Sequence, residues 1–280
     1  MKLKLCFSAL CAAAVILLAS PAAYADSYDL SLGSISIDST ASGQTVVQNG
    51  KTAVDPAPVI TQKSAEATQN TLMAGRVPGI EKSAGGWLEI AGEDDAVLNT
   101  TGSPGIGSGF MASGDHVRIS SGTVNAAGLS SAAGIGSCDG GSSFRYIEIN
   151  GGNVTAVGGE YSAGIGGGGE YCFGRNISIT GGEVTAAGNG GGAAIGGSRL
   201  GEGCTVKISK DAVVHAAMSV TSDGKYTGPC FGSGAASDAD GKEIPPDYSA
   251  LRKDGLVEFF DPDGKLLRSY SLDTPSGVLK

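Results

Sequence analysis

Apolar residues recur along this chain on a beat much longer than that of a strand or a helix. Ile119, Ile149 and Ile179 stand thirty residues apart, and Ile208 follows after twenty-nine. Ile106, Ile135, Ile165 and Ile195 keep intervals of twenty-nine, thirty and thirty, while Val124, Val154, Val184 and Val214 repeat every thirty. Such a period marks a repeat architecture in which each unit buries its apolar face only against its neighbours. Inside the unit the pattern shortens. In "YIEINGGNVTAVGGEYSAGIGGGGEYCFGR", from Tyr146 to Arg175, YIEI alternates apolar and polar as a half-buried strand does, NVTAV follows a Gly-Gly turn, and SAGIG is a third short strand. No segment joins a helix cap to a 3.6-residue apolar period.

Three strands in about thirty residues predict an all-β chain, a single-stranded parallel β-helix solenoid. The chirality of parallel crossovers makes it right-handed. A propeller blade needs roughly forty residues and four strands and fits less well. Stacking sets Ile119 over Ile149 over Ile179 over Ile208, about 4.8 Å apart. The many glycines then belong at corners where φ is positive, or where one backbone lies on the next.

The flanks depart from the repeat. Residues 26–62 alternate without it and read as N-terminal strands or a cap; residues 63–240 form the solenoid. The rung that begins at Trp87 carries two extra residues within Glu93–Asp95. Residues 241–280 read as a linker around Pro245 and Pro246, then a terminal β-hairpin, because "GLVEFFDPDGKLLRSYSL" alternates on both sides of a turn. Such a hairpin would cap the open end of the coil against strand pairing with another chain.

Residues 1–25 read as a signal peptide, with Lys2 and Lys4, an apolar run to Leu18 and small residues at Ala23 and Ala25. Cleavage there leaves 255 residues with 17 basic and 28 acidic side chains, a net charge of −11. That balance argues against nucleic acid and anionic membrane surfaces as partners and says nothing against neutral glycans. No later apolar run is long enough to span a bilayer, and no anchor signal follows Leu272, so a secreted product is expected, or one held non-covalently at the cell surface.

Four cysteines remain: Cys138, Cys172, Cys204 and Cys230. An even count in an exported chain favours disulfides over a four-thiolate metal site, which would show C-x2-C knuckles. If all four lie on one loop edge of successive rungs, neighbours are within disulfide reach. The pairing Cys138–Cys172 with Cys204–Cys230 is then expected.

The repeat I-x-I-x-G-G-x-V-T-A-x-G, followed by A-G-I-G-G-G, resembles that of exported bacterial Gly-rich repeat proteins often labelled carbohydrate-binding-domain proteins. The resemblance rests on Ile147–Gly168 and Ile177–Gly197, with further matches at Val117–Gly136 and Trp87–Gly109. It implies a secreted or surface solenoid that recognises glycans or host-surface polymers. It transfers no catalytic residue, since the matching positions are Gly, Ile, Val, Thr and Ala.

Candidate ligand residues come from outward columns and loops. Asn125, Thr155 and Thr185, continued by His215, form one polar column. Tyr161, Tyr171 and Phe173, with Glu160 and Glu170 beside the tyrosines, offer rings and hydroxyl acceptors suited to sugars; packing over the coil's flank is the competing reading. Arg118, Glu148, Ser178 and Lys207 read as a solvated ladder of weak charge pairs. Glu93, Asp94, Asp95 and Asp115 offer oxygen ligands for calcium, though a solvated loop insertion suits them better, and no cofactor or metal is assigned. His116 and His215 lie about three rungs apart, against a His-dependent triad. The favoured function is a non-catalytic binding or adhesion module for glycans. A β-helix polysaccharide lyase or glycoside hydrolase and a purely structural surface protein are the alternatives.

Overall fold

The computed structural model describes residues 78–82, 87–92, 97–235 and 256–269, and the strands Lys2–Phe7, Ser27–Asp29, Ile35–Thr40, Gly43–Gln48, Lys51–Asp55, Val59–Gln62, Gln69–Met73 and Asp247–Ala250. Its described residues form a parallel β-helix. Each rung runs through three faces, here called A, B and C. Face A stacks Trp87–Ala91, Val117–Ile119, Ser143–Ile149 and the first parts of Phe173–Ala187 and Thr205–Ala217. Face B stacks Val97–Gly102, Thr123–Gly128, Asn153–Val157 and the second parts of those two long strands. Face C is a file of very short strands: Ile80–Glu81, Ile106–Ser108, Ile135–Ser137, Ile165–Gly166, Ile195–Gly196 and Phe231–Gly232.

The sequence columns are the structural columns. Ile90, Ile119, Ile149, Ile179 and Ile208 are in register on face A, and Phe231 follows Ile195 on face C. These side chains fill the coil and are essentially inaccessible to solvent, so apolar burial between rungs is the main driving force. The A-to-B turn uses Gly122, Gly152 and Gly182, with φ of 84°, 85° and 81°, where a side chain would be strained. The rung that starts at Thr205 lacks that glycine and takes a bulge instead. Ile179 pairs with Ile208 but Gly181 with Asp211, which is why the interval of twenty-nine between those isoleucines returns to thirty by Val214. In the rung of Trp87, Ile90 and Leu98 align with Ile119 and Val124. The insertion between faces A and B is therefore three residues rather than the expected two; Glu93–Asp95 themselves lie outside the described residues.

At the C-terminal end, Leu256–Phe260 adds a further parallel strand to face B and then folds back antiparallel onto Leu266–Ser271. Asp261 Oδ1 accepts from the amides of Asp263 (3.1 Å) and Lys265 (2.7 Å), so "DPDG" is a turn. Phe259 closes over Phe231, ring centroids 5.4 Å apart, and His215 sits between Glu258 (2.8 Å) and Glu183 (3.4 Å). Towards the N-terminus, Ile35–Thr40, Gly43–Gln48 and Lys51–Asp55 form an antiparallel sheet. Lys2–Phe7, within the segment read as a leader, runs parallel between Val59–Gln62 and Trp87–Ala91.

The expected disulfides Cys138–Cys172 and Cys204–Cys230 are not formed, and all four cysteines are buried. Cys138, Cys172 and Cys204 do lie in the turn from face C to face A of successive rungs, but Cys230 does not. Cys204 precedes face A at Thr205, whereas Cys230 directly precedes face C, its Sγ donating to Ala216 O at 3.1 Å. An inserted hairpin, Ser219–Val220 with Thr227–Gly228, carries the chain round to face C before Cys230, so the interval in sequence misstates the position on the coil. Cys138 leaves face C after Ser137, while Cys172 precedes Phe173 and its Sγ donates to Glu170 O at 3.3 Å. Burial pushes the Cys172 thiol up to about 11 and Cys204 to about 12, and raises Cys138 as well.

Two outcomes follow. In the chain starting at Asp26, a thiol reagent at pH 8 should find almost no reactive cysteine in the folded state and four after unfolding without reductant; fewer than four would reveal a bridge. Gly166→Ala places a Cβ into the carbonyl of Gly196 at φ 133°, and should lower unfolding stability by about 3 kcal/mol or more in a denaturant titration.

Candidate functional site

Among the described residues, the corner where the chain passes from face C to face A carries the exposed rings of Phe110, Tyr146 and Tyr171 and the exposed cations Arg145 and Arg175. Strand alternation fails there. In Phe144–Ile147 the first and last side chains point inward and both Arg145 and Tyr146 are exposed; Gly174–Ile177 repeats this with Arg175 and Asn176. Two successive outward residues mark a bend in the strand, so each rung presents a pair at the convex edge. In register, one column runs Asp115, Arg145, Arg175 and the next His116, Tyr146, Asn176, Thr205.

The second column is an aromatic stack. Trp87 and His116 have ring centroids 4.3 Å apart, and His116 lies nearly parallel to Tyr146, also at 4.3 Å. His116 holds φ at 48°, an unusual conformation for a non-glycine residue and one that gathers at functional sites. Arg118 covers Trp87 at 4.3 Å and donates through Nε to Glu148 Oε2 at 2.8 Å. Ser120 Oγ donates to Glu89 Oε1 at 2.7 Å. Trp87 is therefore covered, and Tyr146, 39 % exposed, is the ring of the stack that reaches solvent.

Behind the stack lies a titratable group. Asp115 Oδ1 is 2.5 Å from His116 Nδ1. Lys82, only 1 % exposed, sits within the field of Asp115. Burial pulls its ammonium down to about 8 despite that carboxylate, and burial likewise holds His116 below the usual imidazole value.

The residues singled out in the sequence separate into three places. Tyr161 and Glu170 meet around Arg199, which stacks on Tyr161 at 4.1 Å and ion-pairs with Glu170. Glu160 hydrogen-bonds the Tyr161 hydroxyl and raises its pKa. Tyr171 is 64 % exposed nearby, and Phe173 supports the Arg175 guanidinium at 4.8 Å, which links it to the corner. Asn125, Thr155 and Thr185 line up on face B, away from both groups, with Asn125 Nδ2 donating to Asn99 Oδ1 at 2.8 Å. Lys82, Trp87, Arg145, Tyr146, Arg175 and Asn176 were not singled out. Thirty-residue spacing at Arg145–Arg175 and at His116–Tyr146–Asn176 was the available signal. Among the described residues no three His, Cys, Asp or Glu side chains are placed to hold a metal ion.

A family model described as the beta helix repeat matches residues 117–141, 147–169 and 177–199. Each match starts on face A and ends just past face C, so the matched unit is one rung. Three successive rungs thus match the repeat model, and the fold of the described residues is a parallel β-helix. Neither the search of curated proteins nor that of solved structures returned a match.

Lys82 makes the pH dependence of stability a test of this geometry. Between about 8, folded, and 10.5, its ordinary value, the unfolded chain binds a proton that the folded chain does not. The charge-burial cost is fully present below pH 8 and is relieved as pH rises through that window. Wild-type stability should gain on the order of 3 kcal/mol there relative to Lys82→Met, whose own pH profile lacks that rise.

Proposed function

We propose that this protein is a secreted, non-catalytic β-helix that binds glycans at the edge between faces C and A. The observation that carries the reading is the Tyr146 ring, 39 % exposed and backed by a stack of His116 and Trp87. A flat apolar surface held in one orientation suits the face of a sugar ring, because little side-chain entropy is lost on contact. Asn176 stands beside it in the next rung, its Nδ2 donating to the Arg145 carbonyl at 3.4 Å. Tyr171 and Phe173 border the same edge. Tyr161, Glu160 and Glu170 act with Arg199 as a supporting cluster, and Asn125, Thr155 and Thr185 offer a secondary polar row on face B.

The Asp115–His116 contact favours a second reading, a β-helix carbohydrate-active enzyme with His116 as proton carrier. Lys82, at 1 % exposure, cannot itself touch a substrate. The two readings part on products. A glycan array with the mature chain should show binding without release of reducing ends or unsaturated uronates; release of either would establish the enzyme. Tyr146→Ala should weaken the best array ligand about tenfold by calorimetry, the ~1.4 kcal/mol expected of one aromatic contact. Undiminished affinity in that variant would move the site elsewhere.

A further inference from the structure

We infer that Arg145 and Arg175 form a subsite for an oxyanion, the carboxylate or sulfate ester of an acidic sugar; the inference rests on the glycan reading above. The two arginines are neighbours in adjacent parallel strands, between the register pairs Phe144–Gly174 and Tyr146–Asn176. Strand spacing sets their backbones about 4.8 Å apart. Both side chains are exposed. Like charges directly opposite each other on a sheet destabilise it, and two other arginines of the coil are held by carboxylates. Three residues further along face A, Arg118 pairs with Glu148 at 2.7 Å, and at the next rung's corner Arg199 pairs with Glu170. Neither Arg145 nor Arg175 has a carboxylate within ion-pair distance among the described residues. In a chain of net charge −9, two stacked cations left without a counter-charge call for one from outside.

The local geometry fits an oxyanion better than diffuse steering does. The Arg175 guanidinium rests 4.8 Å over the Phe173 ring, which orients the planar fork, and arginine forks match carboxylate and sulfate in bidentate fashion. Asp115, next to Arg145 in the same column, is turned to His116 at 2.5 Å. The positive stretch is thus confined to the two rungs of Arg145 and Arg175. Tyr146, directly beside Arg145, supplies the ring surface. An anion held between the arginines and a sugar face on Tyr146 are one rung and one residue apart, the scale of a single substituted sugar. The ligand so described is an oligosaccharide with charged substituents, not a free anion.

The test is calorimetric titration of the mature chain with three oligosaccharides of matched length: a neutral hexose oligomer, its uronate counterpart and its sulfated counterpart. At least one charged oligomer should bind tenfold or more tighter than the neutral one, and that preference should fall steeply with added salt. Whichever charged oligomer is preferred names the oxyanion. In R145Q/R175Q the ratio of charged to neutral affinity should collapse towards one, with R145K/R175K in between; the unfolding midpoint of each variant checks the fold. Equal affinity for neutral and charged oligomers overturns the subsite and leaves the glycan reading standing. A charged preference that survives R145Q/R175Q also overturns it, by placing the anion elsewhere. Failure of all three oligomers and of the glycan array overturns the glycan reading itself, and the subsite with it.

Discussion

Along face C, backbone lies directly on backbone. Gly107, Gly136, Gly166, Gly196 and Gly232 adopt φ between 125° and 148°, and a Cβ on any of the first four would enter the carbonyl of the next glycine in the file. No side chain can be interposed, so each rung must meet the next at the bare spacing of a hydrogen-bonded ladder. Because the glycine recurs in the five successive rungs from Gly107 to Gly232, it resets the register once per turn there, Glu81 holding the place in the rung before. Loops of unequal length can then leave and rejoin the coil without disturbing the apolar columns. The isoleucines on face A and the valines on face B stay aligned although the rung of Trp87 gains residues at one turn and the rung of Thr205 gains a bulge.

Much of this was legible in the intervals between apolar residues. A residue that must lie over its counterpart in the next rung is constrained in type as well as in spacing, so Ile149 and Val154 announce their columns. Phe231 could be assigned to the face C column because it too is large and apolar and precedes the glycine. The cysteines misled because small buried residues are tolerated at several positions around a rung. One cysteine per repeat along the chain therefore does not give equal position on the coil once a hairpin such as Ser219–Gly228 intervenes.

The edge between faces C and A was harder to read for a related reason. Binary patterning assumes that successive strand residues face opposite ways, and at Arg145–Tyr146 and Arg175–Asn176 they do not. A bend that turns two neighbours outward looks, in sequence, like an ordinary polar residue next to a misplaced aromatic one. The aromatic loop residues were more visible. Yet Tyr161 is taken up by Arg199, and Phe173 serves as the floor under Arg175, so a conspicuous ring in the sequence is not always the ring left free. Charge behaves the same way: Arg118, flanked by Trp87 and Glu148, and Arg145, with neither, are indistinguishable as letters.

The glycine file on face C also governs how such a molecule can change in length. Since each turn meets the next through the same side-chain-free contact, duplicating or deleting one whole turn leaves all contacts intact except those at the new junction. Anything displayed at the convex edge then lengthens or shortens in whole steps of about 4.8 Å, and a polymer with its own repeat can be matched by counting turns instead of redesigning a pocket.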